Sequence, residues 1–237
     1  MIAHRIYALN EQSLTIEFGE EISPAVNNQV MALHYALQDH PFPGFIESVP
    51  AYTTLTVYYD LFHITKDKGV GTTSARQFVS DKISEKLSIL TTAAASALPV
   101  LEIPVCYDLS MAPDLPWVAE YCRLTIPEII DLHSREIYRV YMIGFIPGFP
   151  YLGMLPPELE VPRKIRPALS VAAGSVALAG KQTGIYPFNI PGGWQVIGRT
   201  PYGLFDVNRD PCCSLSVGQQ IKFVPITLED FKDRSTL

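Results

Sequence analysis

The first third of the chain switches between two hydrophobic periods. Residues 5–9 (RIYAL) and 14–18 (LTIEF) are short β-rich runs on either side of Asn10, Glu11, Gln12 and Ser13, which reads as a strand pair around a turn. Ser23 then offers an N-cap ahead of Pro24 at the first helical position, and Val26, Val30, Leu33 and Leu37 share one helical face. This spacing predicts a helix to about Asp39, stopped by Pro41 and Pro43. Residues 45–49 and 54–59 supply two further strands rich in aromatic and β-branched side chains. A second helix is expected after Gly71, with Thr72 to Ser74 as candidate caps and Val79, Ile83, Leu87 and Leu90 on its inner face. Strand, strand, helix, strand, strand, helix is the order of a small two-layer α+β domain, assigned to residues 1–90.

Residues 91–99 (TTAAASALP) carry neither charge nor period and form the expected linker. A strand over 101–107 follows, then two short helices, the second opened by Thr125 with Glu128 in capping-box spacing and closing near His133. Beyond Tyr138 glycine and proline recur between short β-rich pieces at 139–145, 175–179, 194–200 and 220–224. Frequent turns between short strands predict a β-barrel for the second domain, residues 100–237.

Charge narrows the function classes. A net charge of -6 and a pI near 5.4 oppose nucleic-acid binding, which draws on many basic side chains to displace counterions. The one dense basic cluster, Arg163, Lys164 and Arg166, reads as a solvated loop. The N-terminal residues lack the apolar run of a secretory signal and no stretch is long enough to span a bilayer, so a cytoplasmic protein without a membrane partner is expected. Its 4 cysteines, Cys106, Cys122, Cys212 and Cys213, show no CxxC spacing and are expected to be reduced and mostly buried. Five scattered histidines show no ligand spacing, so no metal site is expected. His133, beside Asp131 and Ser134 near a helix end, is expected to favour the C-terminal dipole.

Three stretches carry candidate chemistry. The loop 144–153 (GFIPGFPYLG) follows a strand, yet Pro147 and Pro150 remove donors and no helical pattern follows, which opposes a phosphate cradle. Phe145, Pro147, Phe149 and Tyr151 instead make a rigid aromatic loop, which fits either a core cap or an apolar wall for a ligand or partner. Residues 180–187 form a donor-rich turn in which Lys181, Gln182, Thr183 and Tyr186 offer a cation, an amide and two hydroxyls between glycines. Such a set suits a carboxylate or a developing oxyanion, and hairpin chemistry would use the same residues. The turn Pro191-Gly192-Gly193-Trp194 leads into a strand ending at Arg199, whose planar fork suits a carboxylate. Ser175 lacks the second glycine of a nucleophile elbow.

Val49-Pro50-Ala51-Tyr52-Thr53-Thr54-Leu55 in the first domain and GFIPGFPYLG, AGSVALAG, QTGIYP and PGGWQVIGRTP in the second resemble one family across most of the chain. This is the carboxyltransferase subunit family, often named allophanate hydrolase subunit 1, which includes the B component of 5-oxoprolinase and sporulation-kinase inhibitors. The chain departs from the family's Pro-Arg and Val-Pro-Ala-Gly-Ser-Val at Pro167-Ala168 and at Val171-Ala172-Ala173-Gly174-Ser175-Val176. The resemblance implies an N-terminal α+β domain and a C-terminal barrel similar to cyclophilin. It implies a subunit, inactive alone, of an ATP-dependent enzyme that opens 5-oxoproline to glutamate. Its partners would be a larger homologous carboxyltransferase subunit of the 5-oxoprolinase C type and a lactam-utilisation subunit of the A type, with ATP consumed by the complex and not placed on this chain. In that reading Gln182, Thr183, Tyr186 and Arg199 are the candidate catalytic set. Phe145, Pro147, Phe149, Tyr151, Lys181 and Trp194 would bind substrate or partner. The resemblance also implies two alternatives, inhibition of a histidine kinase and a urea-degrading carboxyltransferase, the latter requiring a biotin carrier. A prolyl isomerase is rejected, because its arginine-and-aromatic motif is not recognisable here.

Overall fold

A computed structural model describes residues 3–68, 72–90 and 99–234, with side chains left out at 67–68 and 72–74. Gly71, the side chains of the expected caps Thr72 to Ser74 and the linker up to residue 98 lie outside what is described. The chain divides into two compact units, Met1–Ala97 and Leu98–Leu237.

In the first unit β1 (Arg5–Asn10), β2 (Ser13–Glu17), β3 (Phe45–Ala51) and β4 (Thr54–Tyr59) form an antiparallel sheet in the order β1-β2-β4-β3. Helix α1 (Pro24–Asp39) starts as its sequence requires: the Ser23 side chain accepts from the Val26 N–H at 3.2 Å and Pro24 needs no partner. A short helix α2 (Leu61–Lys68), which the apolar pattern did not mark, precedes α3 (Thr72–Ile89). Val30, Leu33 and Leu37 of α1, Ile64 of α2 and Val79, Ile83 and Leu87 of α3 pack on Leu14, Ile16, Leu55 and Val57 of the sheet.

The second unit opens with β5 (Leu101–Cys106), α4 (Leu115–Cys122) and α5 (Ile126–Arg135). Thr125 and Glu128 close the capping box, the Thr125 N–H donating to the Glu128 carboxylate at 2.7 Å. There follow β6 (Ile137–Ile143), β7 (Pro150–Gly153), β8 (Ala168–Val171), β9 (Ser175–Ala179), β10 (Gln182–Ile185), β11 (Ile190–Gly192), β12 (Gln195–Arg199), β13 (Gln220–Ile226) and α6 (Leu228–Arg234). Seven of these strands close a barrel in the order β10-β7-β6-β13-β5-β12-β9, while β8 and β11 pair as a separate ribbon. The interior is filled by aliphatic side chains such as Ile103, Val105, Val140, Val176, Leu178 and Ile197. The barrel is therefore a packed core rather than a channel. No helix among the described residues is long and apolar enough to cross a membrane.

Two sequence expectations change here. Cys106 alone among the cysteines is buried, the other three being half-buried, and all are free. His133 is not a surface residue at a helix end: it is fully buried in the barrel unit. Its Nδ1 lies 2.8 Å from the Tyr107 hydroxyl and its Nε2 3.0 Å from Thr183 Oγ1, with the ring stacked on Phe223 at 4.5 Å. Burial lowers its pKa from 6.5 to about 3. The ring is neutral and adds no charge to the helix dipole.

The unfolded chain binds a proton at His133 below pH 6.5 that the folded protein refuses until about pH 3. Stability from this group is therefore fully present above the unfolded pKa and falls with pH by about 1.4 kcal/mol per unit. Between pH 7 and pH 5 this group should cost about 2 kcal/mol. Urea unfolding at both pH values should show that extra loss in the wild type and not in His133→Gln; equal losses would contradict a neutral buried ring.

Candidate functional site

Strands β9 and β10 decide what faces where. They run antiparallel with Gln182 opposite Ala179 and Ile185 opposite Val176, and β10 also pairs with β7, Gly184 facing Tyr151. Successive side chains alternate across a strand, so Thr183 and Ile185 turn into the barrel while Gly184 turns outward. Ala177 and Ala179 likewise turn outward, where they join a second apolar cluster with Phe149, Val171, Tyr186, Trp194 and Val196.

This outer cluster rests on an absent side chain. A Cβ at Gly184 would come within 2.9 Å of the Pro150 carbonyl, 3.0 Å of the Trp194 ring and 3.1 Å of the Phe149 ring. Phe149 is the hub: its ring centroid lies 4.9 Å from Tyr151, 5.2 Å from Tyr186 and 5.5 Å from Trp194, mostly edge to face. Phe145 stands at the rim, 67% exposed and 6.0 Å from Phe149. Together these rings line an open cleft of about 200 Å³.

The ribbon β8–β11 and the loop before it close the cleft. The Lys164 N–H donates to the Gly193 carbonyl at 2.7 Å, and the Gln195 side chain donates to the Pro162 carbonyl at 3.1 Å. These bonds bring Arg163 to the cleft wall, its guanidinium carbon 6.0 Å from the centre of the Trp194 ring. Burial raises the pKa of both Tyr186 and Tyr151, with Arg163 opposing the shift in each case. Both phenols are protonated donors at neutral pH, and the Tyr186 oxygen accepts from the Trp194 backbone N–H. An aromatic cleft with Arg163 and Lys164 on its wall and phenolic donors suits a small, flat, anionic ligand.

The candidate residues separate into groups. Tyr186, Phe145, Phe149, Tyr151 and Trp194 meet in the cleft. Pro147 is exposed on the same loop and does not line it. Arg199 lies across Tyr186, in a neighbouring cavity of about 250 Å³ that Tyr186 also lines. Its Nε donates to the Ala173 carbonyl at 2.7 Å and its guanidinium covers the Phe231 ring at 5.8 Å. Thr183 faces inward onto His133. Gln182 begins β10, about 10 Å along the strand from the Ile185 end that is level with Ser175 and Arg199. Lys181, in the turn beyond, is 64% exposed with Glu160 at 4.0 Å. Arg163 is the residue that sequence reasoning set aside, because only the long-range bonds of Lys164 and Gln195 carry it to the rings.

The ATP implied by the resemblance finds no cradle in the loop 144–153. The loop joins β6 to β7 and leads into no helix, and the Phe149 N–H already donates to the Ile146 carbonyl at 3.2 Å. These residues do not fit the phosphates of a nucleotide.

The barrel with its outer aromatic cleft belongs to a known class. The family described as carboxyltransferase domain, subdomains C and D, matches residues 4–215, and the chain is a member of it. It is 42% identical over 230 residues to the 5-oxoprolinase B component of Bacillus subtilis, covering 97% of this chain and 96% of that one. To the 5-oxoprolinase B component of Escherichia coli O157:H7 it is 36% identical over 224 residues, covering 93% and 95%. The solved structure of TTHA0988 superposes with a TM-score of 0.78 at 35% identity, covering 91% of this chain, which spans 40% of that longer chain.

The contact at Gly184 is directly testable. Gly184→Ala should lower stability by about 1–3 kcal/mol through overpacking and shift the emission of Trp194, one of 2 tryptophans. An unchanged melting temperature with unchanged emission would show that the rings do not rest on this strand.

Proposed function

We propose that this chain is the B component of a 5-oxoprolinase and that the aromatic cleft is where it holds 5-oxoproline. The observation that carries the reading is the end-to-end similarity to 5-oxoprolinase B components of matching length. The reaction adds water to the lactam carbonyl and breaks the ring C–N bond, giving a new carboxylate and an amine. A five-membered lactam lays its apolar face on the aromatic wall of the cleft, and its carboxylate pairs with Arg163. The Tyr186 phenol, protonated at neutral pH and with its pKa raised further by burial, donates to the lactam oxygen as negative charge develops there. Thr183 acts one layer away: bonded to His133, it holds β10 against the barrel and so positions Tyr186.

ATP consumption belongs in this reading to the partner subunits, a larger homologous carboxyltransferase subunit and a lactam-utilisation subunit. The exposed Phe145 at the cleft rim is a contact for one of them. The cleft is open on this chain alone, and water must be excluded before the phenol can act as a strong donor.

Co-expressed with the larger subunit, the chain should elute with it as one complex at micromolar concentrations; separate elution would sink the subunit assignment. In the assembled enzyme Arg163→Ala should raise KM for 5-oxoproline on the order of tenfold or more, the loss of a hydrogen bond to a charged group. Tyr186→Phe should lower kcat on the order of a hundredfold with KM little changed. Glutamate release within twofold of wild type for both folded variants would show that the cleft is scaffolding.

A further inference from the structure

On the other side of Lys164 from the aromatic cleft is a larger basin of about 390 Å³, lined among others by Asp114, Lys164, Ser170, Ser175 and Arg199. We propose that this basin is a second ligand site, built for a compact oxyanion, either a phosphate or a carboxylate group. Ser175 is 3% exposed and lines the basin, and its hydroxyl is not among the buried unpaired atoms of the described residues, so it opens onto the basin. A hydroxyl on the basin wall beside a guanidinium can donate to an anion held there.

Arg199 supplies the charge. It sits directly opposite Ser175 across the β9–β12 pair, which places the two Cβ atoms about 5 Å apart on one face. Its Nε is spent on Ala173 and its plane is fixed over Phe231, while its terminal nitrogens meet no acceptor among the described residues. Gly174 makes this arrangement reachable: at φ +81 a side chain there would be strained and would run into the Thr200 carbonyl. Lys164 faces the basin from the opposite wall with its Nζ 2.6 Å from Asp114. The Asp114 carboxylate also accepts from the Val196 N–H at 2.7 Å, so its charge is already answered. Two cations against one carboxylate leave the basin positive, and a rigid guanidinium fork beside a hydroxyl matches the oxygens of an anion. This inference does not depend on the 5-oxoproline reading, because it concerns the chain alone and a different cavity.

Calorimetric titration of the purified chain at low ionic strength with inorganic phosphate, and separately with glutamate and with 5-oxoproline, tests it. Millimolar or tighter binding of phosphate assigns the site to a phosphoryl oxyanion; binding of the carboxylates but not phosphate assigns it to a carboxylate group. In either case Arg163→Ala should weaken only the binding of 5-oxoproline in the aromatic cleft, while the basin's share of the binding should weaken on the order of tenfold in Ser175→Ala and disappear in Arg199→Gln. Lys164→Gln, on the more accessible wall, should weaken it several-fold and serves if Ser175→Ala lowers the melting temperature. No binding of phosphate or glutamate in the millimolar range, or binding of either that folded Arg199→Gln and Lys164→Gln variants retain, overturns the proposal.

Discussion

The outer half of the barrel unit depends on one close approach, that of the Phe149 and Trp194 rings to the backbone of β10 at Gly184. Because no side chain intervenes, the edges of the rings reach the barrel wall and the Pro150 carbonyl comes within 2.9 Å of where a Cβ would stand. Everything that makes the cleft follows from that contact. Phe149 becomes the hub on which Tyr151, Tyr186 and Trp194 pack edge to face. Trp194 in turn gives Arg163 a surface to cover, and burial raises the pKa of the Tyr186 phenol further above its ordinary value.

The same strand is anchored on its inner side by polar atoms. Thr183 reaches His133, and His133 reaches Tyr107, a chain of hydrogen bonds within an otherwise aliphatic interior. Such a network is stabilising only while every member is satisfied and the ring stays neutral. A two-residue period thus separates the tasks of β10: Thr183 and Ile185 hold the strand to the core, and Gly184 between them lets the rings of the cleft pack on its outer side.

Much of the fold was legible in the chain. Ser23-Pro24 and the Thr125–Glu128 pair marked helix starts because capping is local chemistry that reads directly from neighbouring residues. The glycine- and proline-rich texture after Tyr138 announced short strands and hence a barrel. The loop 180–187 misled, because Gln182-Thr183-Gly184 has the composition of a turn; it is a strand because β7 and β9 supply partners on both edges. Lys181, Gln182, Thr183 and Tyr186 therefore do not converge, although they are close in sequence. Arg163 was invisible for the converse reason: what brings it to Trp194 is a pair of bonds from Lys164 and Gln195 across some thirty positions of chain. The motifs that carry the family resemblance named the right segments without saying which way each side chain points.

The central claim is that the aromatic cleft beside Arg163 holds the lactam. A crystal structure of the assembled enzyme soaked with 5-oxoproline tests it most directly. The account predicts ligand density in the cleft lined by Phe145, Tyr151 and Trp194, with the carboxylate on the Arg163 guanidinium and the lactam oxygen within hydrogen-bond distance of the Tyr186 hydroxyl. Ligand bound elsewhere, with the cleft filled by side chains of the larger subunit, would contradict it.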